Sequence, residues 1–173
     1  DWWAEDARRM ADMGLSVVRI AEFAWSRIEP EPGQFDWAWL DQAVETLYAA
    51  GLSVIMCTPT ATPPKWLVDQ HPDMVAINDR GQRRQFGSRR HYSFSHEGYR
   101  AECARITEAV AERYGQHPAV VAWQTDNEYA CHDTTLSYSP AATAAFRDWL
   151  AQRYQSPQAL NRAWGNVFWS MDY

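Results

Sequence analysis

A chain of 173 residues that is 46% hydrophobic and 22% charged holds enough apolar content to bury a core, which sets aside the disordered and fibrous classes. Its net charge of −6 is spread over interspersed acids and bases, an arrangement unlike a nucleic-acid or anionic-membrane surface. No apolar run reaches the ~18 residues that a membrane-spanning helix requires.

The first element is a helix over residues 3 to 13, with Trp3, Ala7, Met10 and Met13 on one face and Gly14 as its stop. Leu15 to Phe23 reads as a buried strand. Beyond the turn signal Pro32-Gly33, Asp36 caps a second helix whose apolar face is Trp37, Leu40, Val44 and Leu47, ended by Gly51, and Leu52 to Thr58 is the next strand. The two passages repeat one unit: Met13-Gly14-Leu15-Ser16-Val17-Val18 returns as Ala50-Gly51-Leu52-Ser53-Val54-Ile55. A third copy has its helix from Glu97 to Tyr114, then Gly115 and the strand Ala119 to Gln124. Ser139-Pro140 opens a further helix running to Tyr154, and Ser156-Pro157 a short last one.

Recurrence of helix, glycine and apolar strand is the pattern of βα units feeding a parallel sheet. The fold class expected is therefore α/β, a partial (β/α)8 barrel comprising roughly its first half, with residues 1–173 forming one partial barrel domain. No Met or leader precedes Asp1, and Tyr173 follows an aromatic stretch in mid-loop, so both ends are expected to be cut. The long polar stretch Pro63 to Ser95 reads as a functional loop. In such barrels the loops after the strands build the active face, so Glu22, Pro59 to Pro64, this stretch and whatever follows Gln124 should converge.

Three cysteines, Cys57, Cys103 and Cys131, contain no CxxC pair and read as core or idle thiols; Cys131-His132 is an incidental pair. The histidines lack ligand-like spacing and are expected in loops or at the surface, His91 being the one worth inspecting. Ten tryptophans suit both core packing and stacking on sugar C–H faces, with at least half expected in the core.

The segment Val120-Val121-Ala122-Trp123-Gln124-Thr125-Asp126-Asn127-Glu128-Tyr129 starts as an apolar strand and finishes in a carboxamide beside a carboxylate. A glycosidase needs a carboxylic acid to protonate the leaving oxygen and a nearby group to grip the sugar hydroxyl next to the anomeric carbon. Retention adds a second carboxylate about 5–5.5 Å away as nucleophile. Asp126 is too close in sequence for that role and reads as a hydrogen-bonding support. Glu22 either faces the site or pairs with Arg19 or Arg27. Trp25 either lines the pocket or packs in the core.

Three blocks, Arg19-Ile20-Ala21-Glu22-Phe23-Ala24-Trp25-Ser26-Arg27-Ile28-Glu29-Pro30, Phe86-Gly87-Ser88-Arg89-Arg90-His91-Tyr92 and Asp126-Asn127-Glu128-Tyr129, resemble successive segments of the glycoside hydrolase family 42 β-galactosidases. The resemblance covers the chain in order. It implies hydrolysis of terminal β-D-galactosides through a covalent intermediate, with Glu128 as acid/base, Asn127 at the galactose 2-hydroxyl and Arg89 reaching the sugar from the long loop, Arg90 being the lesser candidate. It places the nucleophile, a glutamate, on a later strand outside the chain, so that this piece alone is expected to be inactive. It implies no organic cofactor, no nucleic-acid or membrane partner, a homotrimeric full-length protein and a cytoplasmic location.

Zinc-binding relatives carry a cysteine just after the Arg-Arg-His-Tyr block and three more after Asn-Glu. Ser93, Ser137, Ser139 and Ala142 stand at those positions here, and neutral hydroxyls and a methyl are poor substitutes for thiolates, so no structural zinc is expected. Two rival readings remain at this level: another retaining glycosidase of the same barrel clan acting on glucosides, mannosides or xylosides, and a carbohydrate-binding barrel without catalysis.

Overall fold

A computed structural model describes residues 2–88, 90–132, 134 and 136–165. Three parallel strands, β1 (Val17–Ile20), β2 (Ser53–Cys57) and β3 (Val120–Gln124), lie side by side in sequence order. Register runs Val17 opposite Ser53 to Ile20 opposite Met56. Across the second pair it runs from Val54 opposite Val120 to Cys57 opposite Gln124, with one irregularity between Val54 and Ile55.

The helices are α1 (Trp2–Asp12), α2 (Trp25–Ile28), α3 (Ala38–Ala49), α4 (Lys65–Gln70), α5 (Glu97–Tyr114), α6 (Pro140–Tyr154) and α7 (Pro157–Trp164). Alternation of strand and helix is as expected from the repeated unit. Gly14 and Gly51, at φ of 86° and 78°, make the left-handed turn from helix to strand that a side chain would resist. Asp36 accepts from the Ala38 amide (3.2 Å) just ahead of α3. Ser139 and Ser156 cap α6 and α7 by accepting from Ala142 and Ala159, each with proline at the first helical position.

Leu40, Val44 and Leu47 of α3 and Tyr99, Ile106, Val110 and Tyr114 of α5 bury one side of the sheet, through Val54 and Met56, together with Ala7 of α1. Asp41 clamps the two helices, paired with Arg113 and accepting from Tyr114 Oη (2.8 Å). The Arg113 guanidinium holds its carboxyl below the usual carboxylate range. The opposite side of the sheet carries Arg19, Ile55 and Ala122 in register across the three strands, with Gln124 one pair further on, opposite Cys57.

Several expectations need correction. The first strand stops at Ile20 because Ala21 takes φ 79°; Glu22 and Phe23 lie in a turn, and Trp25 opens α2. The stretch from 63 to 95 is no open polar loop: it contains α4, bridges Val75 to Tyr92 and Ile77 to Arg83, and buries Leu67, Met74, Val75 and Tyr92. His91 and His96 are buried rather than superficial, and His96 caps α5 by accepting from the Tyr99 amide (3.1 Å). Among the described tryptophans only Trp25, Trp37, Trp39 and Trp66 pack on the core, while Trp2, Trp3, Trp123, Trp149 and Trp164 are exposed.

Candidate active site

The loops that leave the C-terminal ends of β1, β2 and β3 meet on one face, where a parallel barrel places its chemistry. Two hydrogen-bonded chains organise it, both ending on residues 126 and 127.

The first chain crosses the sheet. Glu22 accepts from Arg19 Nη2 (3.3 Å), and Arg19 Nη1 reaches over β2 to donate to Gln124 Oε1 (2.9 Å). The Gln124 amide nitrogen then donates to the Asp126 carbonyl (2.9 Å) and to Asn127 Oδ1 (3.2 Å). This orients the Asn127 carboxamide and leaves its NH2 as the outward donor. Glu22 therefore stands in the ion pair with Arg19 weighed from the sequence, as a support for Asn127. Burial, reinforced by Glu22, pushes the neighbouring Cys57 thiol up to about 11, so it stays protonated.

The second chain holds the turn after β3 from outside. Asp126 is buried at φ 54°; its amide donates to Thr58 Oγ1 (2.8 Å), and its Oδ2 accepts from Thr60 Oγ1 (2.8 Å). Its Oδ1 accepts from the Asn127 amide (2.7 Å) and from Arg90 Nη1 (3.1 Å). Behind them Tyr92 stacks on Tyr99 at 4.5 Å, and Tyr99 Oη donates to the Thr60 carbonyl (2.9 Å). The strand thus ends at Gln124 rather than running on to Glu128, which follows at φ 48° with its side chain exposed.

Beside this turn lies a cleft of about 410 Å³ walled by Phe23, Ser26, Pro63, Pro64, Phe86, Ser88, Arg90, His91 and Asn127, drawing on the loops after all three strands. Glu128 is exposed next to Asn127 and outside that lining. Arg89 lies outside the described residues. His91 Nδ1 is 3.0 Å from the Ser88 carbonyl, which can only accept, so Nδ1 carries the proton; burial lowers the pKa of the ring and keeps it neutral. Trp25 is a correction: it is fully buried in the core with Nε1 donating to Glu29 (3.0 Å), leaving it no face for a ligand.

The site also contains residues to which the sequence gives no individual role, Gln124, Thr58 and Thr60, while Arg19 enters there only as a partner for Glu22. Thr58 and Thr60 stand directly past an apolar strand, and that position was the available signal. Outside the cleft lining, Glu29 is a fully buried carboxylate held by Arg105 (2.8 Å), Trp25 and the Gly33 amide (2.7 Å).

The hydroxyls at the zinc positions of some relatives are spent on backbone. Ser137 Oγ accepts from the amides of Ile77 and Ser139 (both 3.2 Å), Ser139 Oγ caps α6 and Ser93 Oγ accepts from the Ser95 amide (3.4 Å). With Ala142 as the fourth, this donor set does not fit a zinc ion. Among the described residues no group of three or more His, Cys, Asp or Glu side chains could hold a metal.

Parallel strands alternating with helices, and polar side chains gathered at the strand ends, define the first part of a (β/α)8 barrel. The chain belongs to glycoside hydrolase family 42, described as beta-galactosidase, whose sequence model matches residues 1–173. It is similar to the beta-galactosidase of Thermus thermophilus, 57% identical over 171 residues, which make up 99% of this chain and 26% of that protein. It is similar also to the crystal structure of beta-galactosidase from the psychrophilic Marinomonas ef1, with a TM-score of 0.95 and 60% identity over 99% of this chain and 26% of that one. The polyextremophilic beta-galactosidase structure from Halorubrum lacusprofundi gives 0.93 and 52% at the same coverage. The chain spans about a quarter of the length of the relatives it matches.

Proposed function

We propose that residues 1–173 are the first part of the catalytic barrel of a retaining β-galactosidase, with Glu128 as its acid/base. The carrying observation is the turn that presents Asn127 and Glu128 straight after the third strand, fixed by two hydrogen-bonded chains, in a sequence whose relatives are named beta-galactosidases. In this reading Glu128 protonates the departing glycosidic oxygen while a glutamate from a later strand, outside this sequence, attacks the anomeric carbon. Glu128 then takes a proton from the water that releases galactose. Asn127 presents its NH2 to the 2-hydroxyl, and Arg89 reaches the galactose from the long segment after β2. The hydroxyls at positions 93, 137 and 139 support a fold without zinc, and no organic cofactor enters the scheme. The family resemblance is the ground for reading the full-length protein as a cytoplasmic homotrimer.

Glu128→Ala in the full-length protein tests the assignment. Hydrolysis of lactose-like substrates should fall about 10²- to 10⁴-fold, with a smaller loss on activated aryl galactosides and partial rescue by azide, because the anion replaces base-assisted water. An unchanged rate on lactose-like substrates removes Glu128 from the role.

A further inference from the structure

We infer that Arg90 is a positioning residue that sets the orientation of Glu128, acting through Asp126 and the turn rather than on the sugar. The inference rests on the reading of Glu128 as acid/base.

One guanidinium touches the chain on both sides of Glu128. Upstream, Arg90 Nη1 donates to Asp126 Oδ1 (3.1 Å), the oxygen that also accepts the Asn127 amide. Downstream, Nε donates to Cys131 Sγ (3.1 Å), and the guanidinium carbon lies 5.9 Å from the centre of the Tyr129 ring. Arg90 is itself only 2% exposed, turned inward by a φ of 51°, and backed by Tyr92 Oη at 3.4 Å from Nη1. Nη1 and Nε are committed to Asp126 and Cys131, so the charge is neutralised and held by the turn, and of its nitrogens only Nη2, buried without a hydrogen-bond partner, is left to face the cleft that Arg90 helps to line.

The turn needs such a clamp. Asp126, Glu128 and Ala130 all sit at positive φ, a conformation that persists in residues other than glycine only when surrounding contacts over-determine it. Thr58 and Thr60 fix the start of the turn and Arg90 joins its start to its end. Loss of Arg90 frees the backbone around Glu128 and lets the carboxyl drift from the leaving oxygen.

The discriminating experiment compares kcat and KM of full-length Arg90→Lys, Asp126→Asn and Thr60→Val on galactosides with poor and with activated leaving groups, with Glu128→Ala alongside. A displaced acid costs most where protonation is needed. Arg90→Lys and Asp126→Asn should lose kcat about 100-fold on poor leaving groups but under about 3-fold on activated ones, with KM nearly unchanged. Thr60→Val, which deletes one hydroxyl at constant volume, keeps the test alive if the charge variants do not fold and should show the same selectivity at smaller amplitude. A rise in KM on both substrates would make Arg90 a sugar ligand, and equal losses on both would make it merely structural; either overturns the inference while Glu128→Ala keeps its selective loss. If Glu128→Ala itself lacks that selectivity, the acid/base reading falls and the inference with it.

Discussion

Replacing Glu29 with alanine removes a fully buried carboxylate that joins three segments: the indole of α2, the turn at Gly33 and Arg105 of α5. Two donors, Trp25 Nε1 and the Gly33 amide, then lose their acceptor. A buried donor without a partner costs about 1–3 kcal/mol, so the pair contributes about 2–6 kcal/mol. Arg105 adds little, since its side chain is 38% exposed and keeps Glu102 at 2.7 Å. The expected loss is about 3–5 kcal/mol in all. Glu29→Gln should lose about half of that, because one carbonyl oxygen survives while the amide turns a donor toward another donor. Urea unfolding of the full-length protein followed by far-UV circular dichroism measures the loss, and hydrogen exchange in α2 and α5 localises it. A double-mutant cycle with Trp25→Phe isolates the indole bond, expected to couple by about 1 kcal/mol. A stability change under about 1 kcal/mol for Glu29→Ala, or a zero coupling, refutes the reasoning.

Three further outcomes follow from the same geometry. His91 is held neutral by burial, its folded pKa below the ordinary histidine value, so its contribution is complete above the unfolded pKa near 6.5 and is lost as pH falls through the folded value. His91→Phe should accordingly flatten the fall in thermal midpoint from pH 7 to about 5, and an unchanged slope contradicts this. Because the hydroxyls at positions 93, 137 and 139 are bonded to backbone amides, prolonged chelation should leave the full-length protein's melting point and activity unaltered, whereas Ser139→Ala should cost about 1 kcal/mol through the lost cap. Stoichiometric zinc in elemental analysis would contradict the first statement.

The elements legible from sequence are those whose signals are local. α5 and α6 carry their own start, period and stop, and Ser139-Pro140 marks the first turn of α6 as the structure has it. Apolar character carries the expected first strand through Phe23, whereas the backbone reverses at Ala21, which no hydropathy pattern records. The segment after β2 departs from its expectation for a related reason: its arginines and prolines dominate the composition, while Leu67, Met74 and Tyr92 do the packing. At the site, Asn127 and Glu128 announce themselves as a motif. Their supports come from far along the chain, Arg19 105 residues before Gln124 and Arg90 36 before Asp126, and such partnerships exist only once the sheet has brought them together.

Among the described residues β1 and β3 each pair with a neighbour on one side only, and Val17, Val121 and Trp123 stand exposed beside those open ladders. Unpaired backbone donors and acceptors flanked by apolar side chains are a template for whichever strand reaches them first. For a protein of the relatives' length this is a matter of timing on the ribosome, where the next strand of the same polypeptide competes with nascent copies on adjacent ribosomes. Soluble yield in a producing cell should therefore respond to translation speed and chaperone supply as well as to the stability of the finished fold.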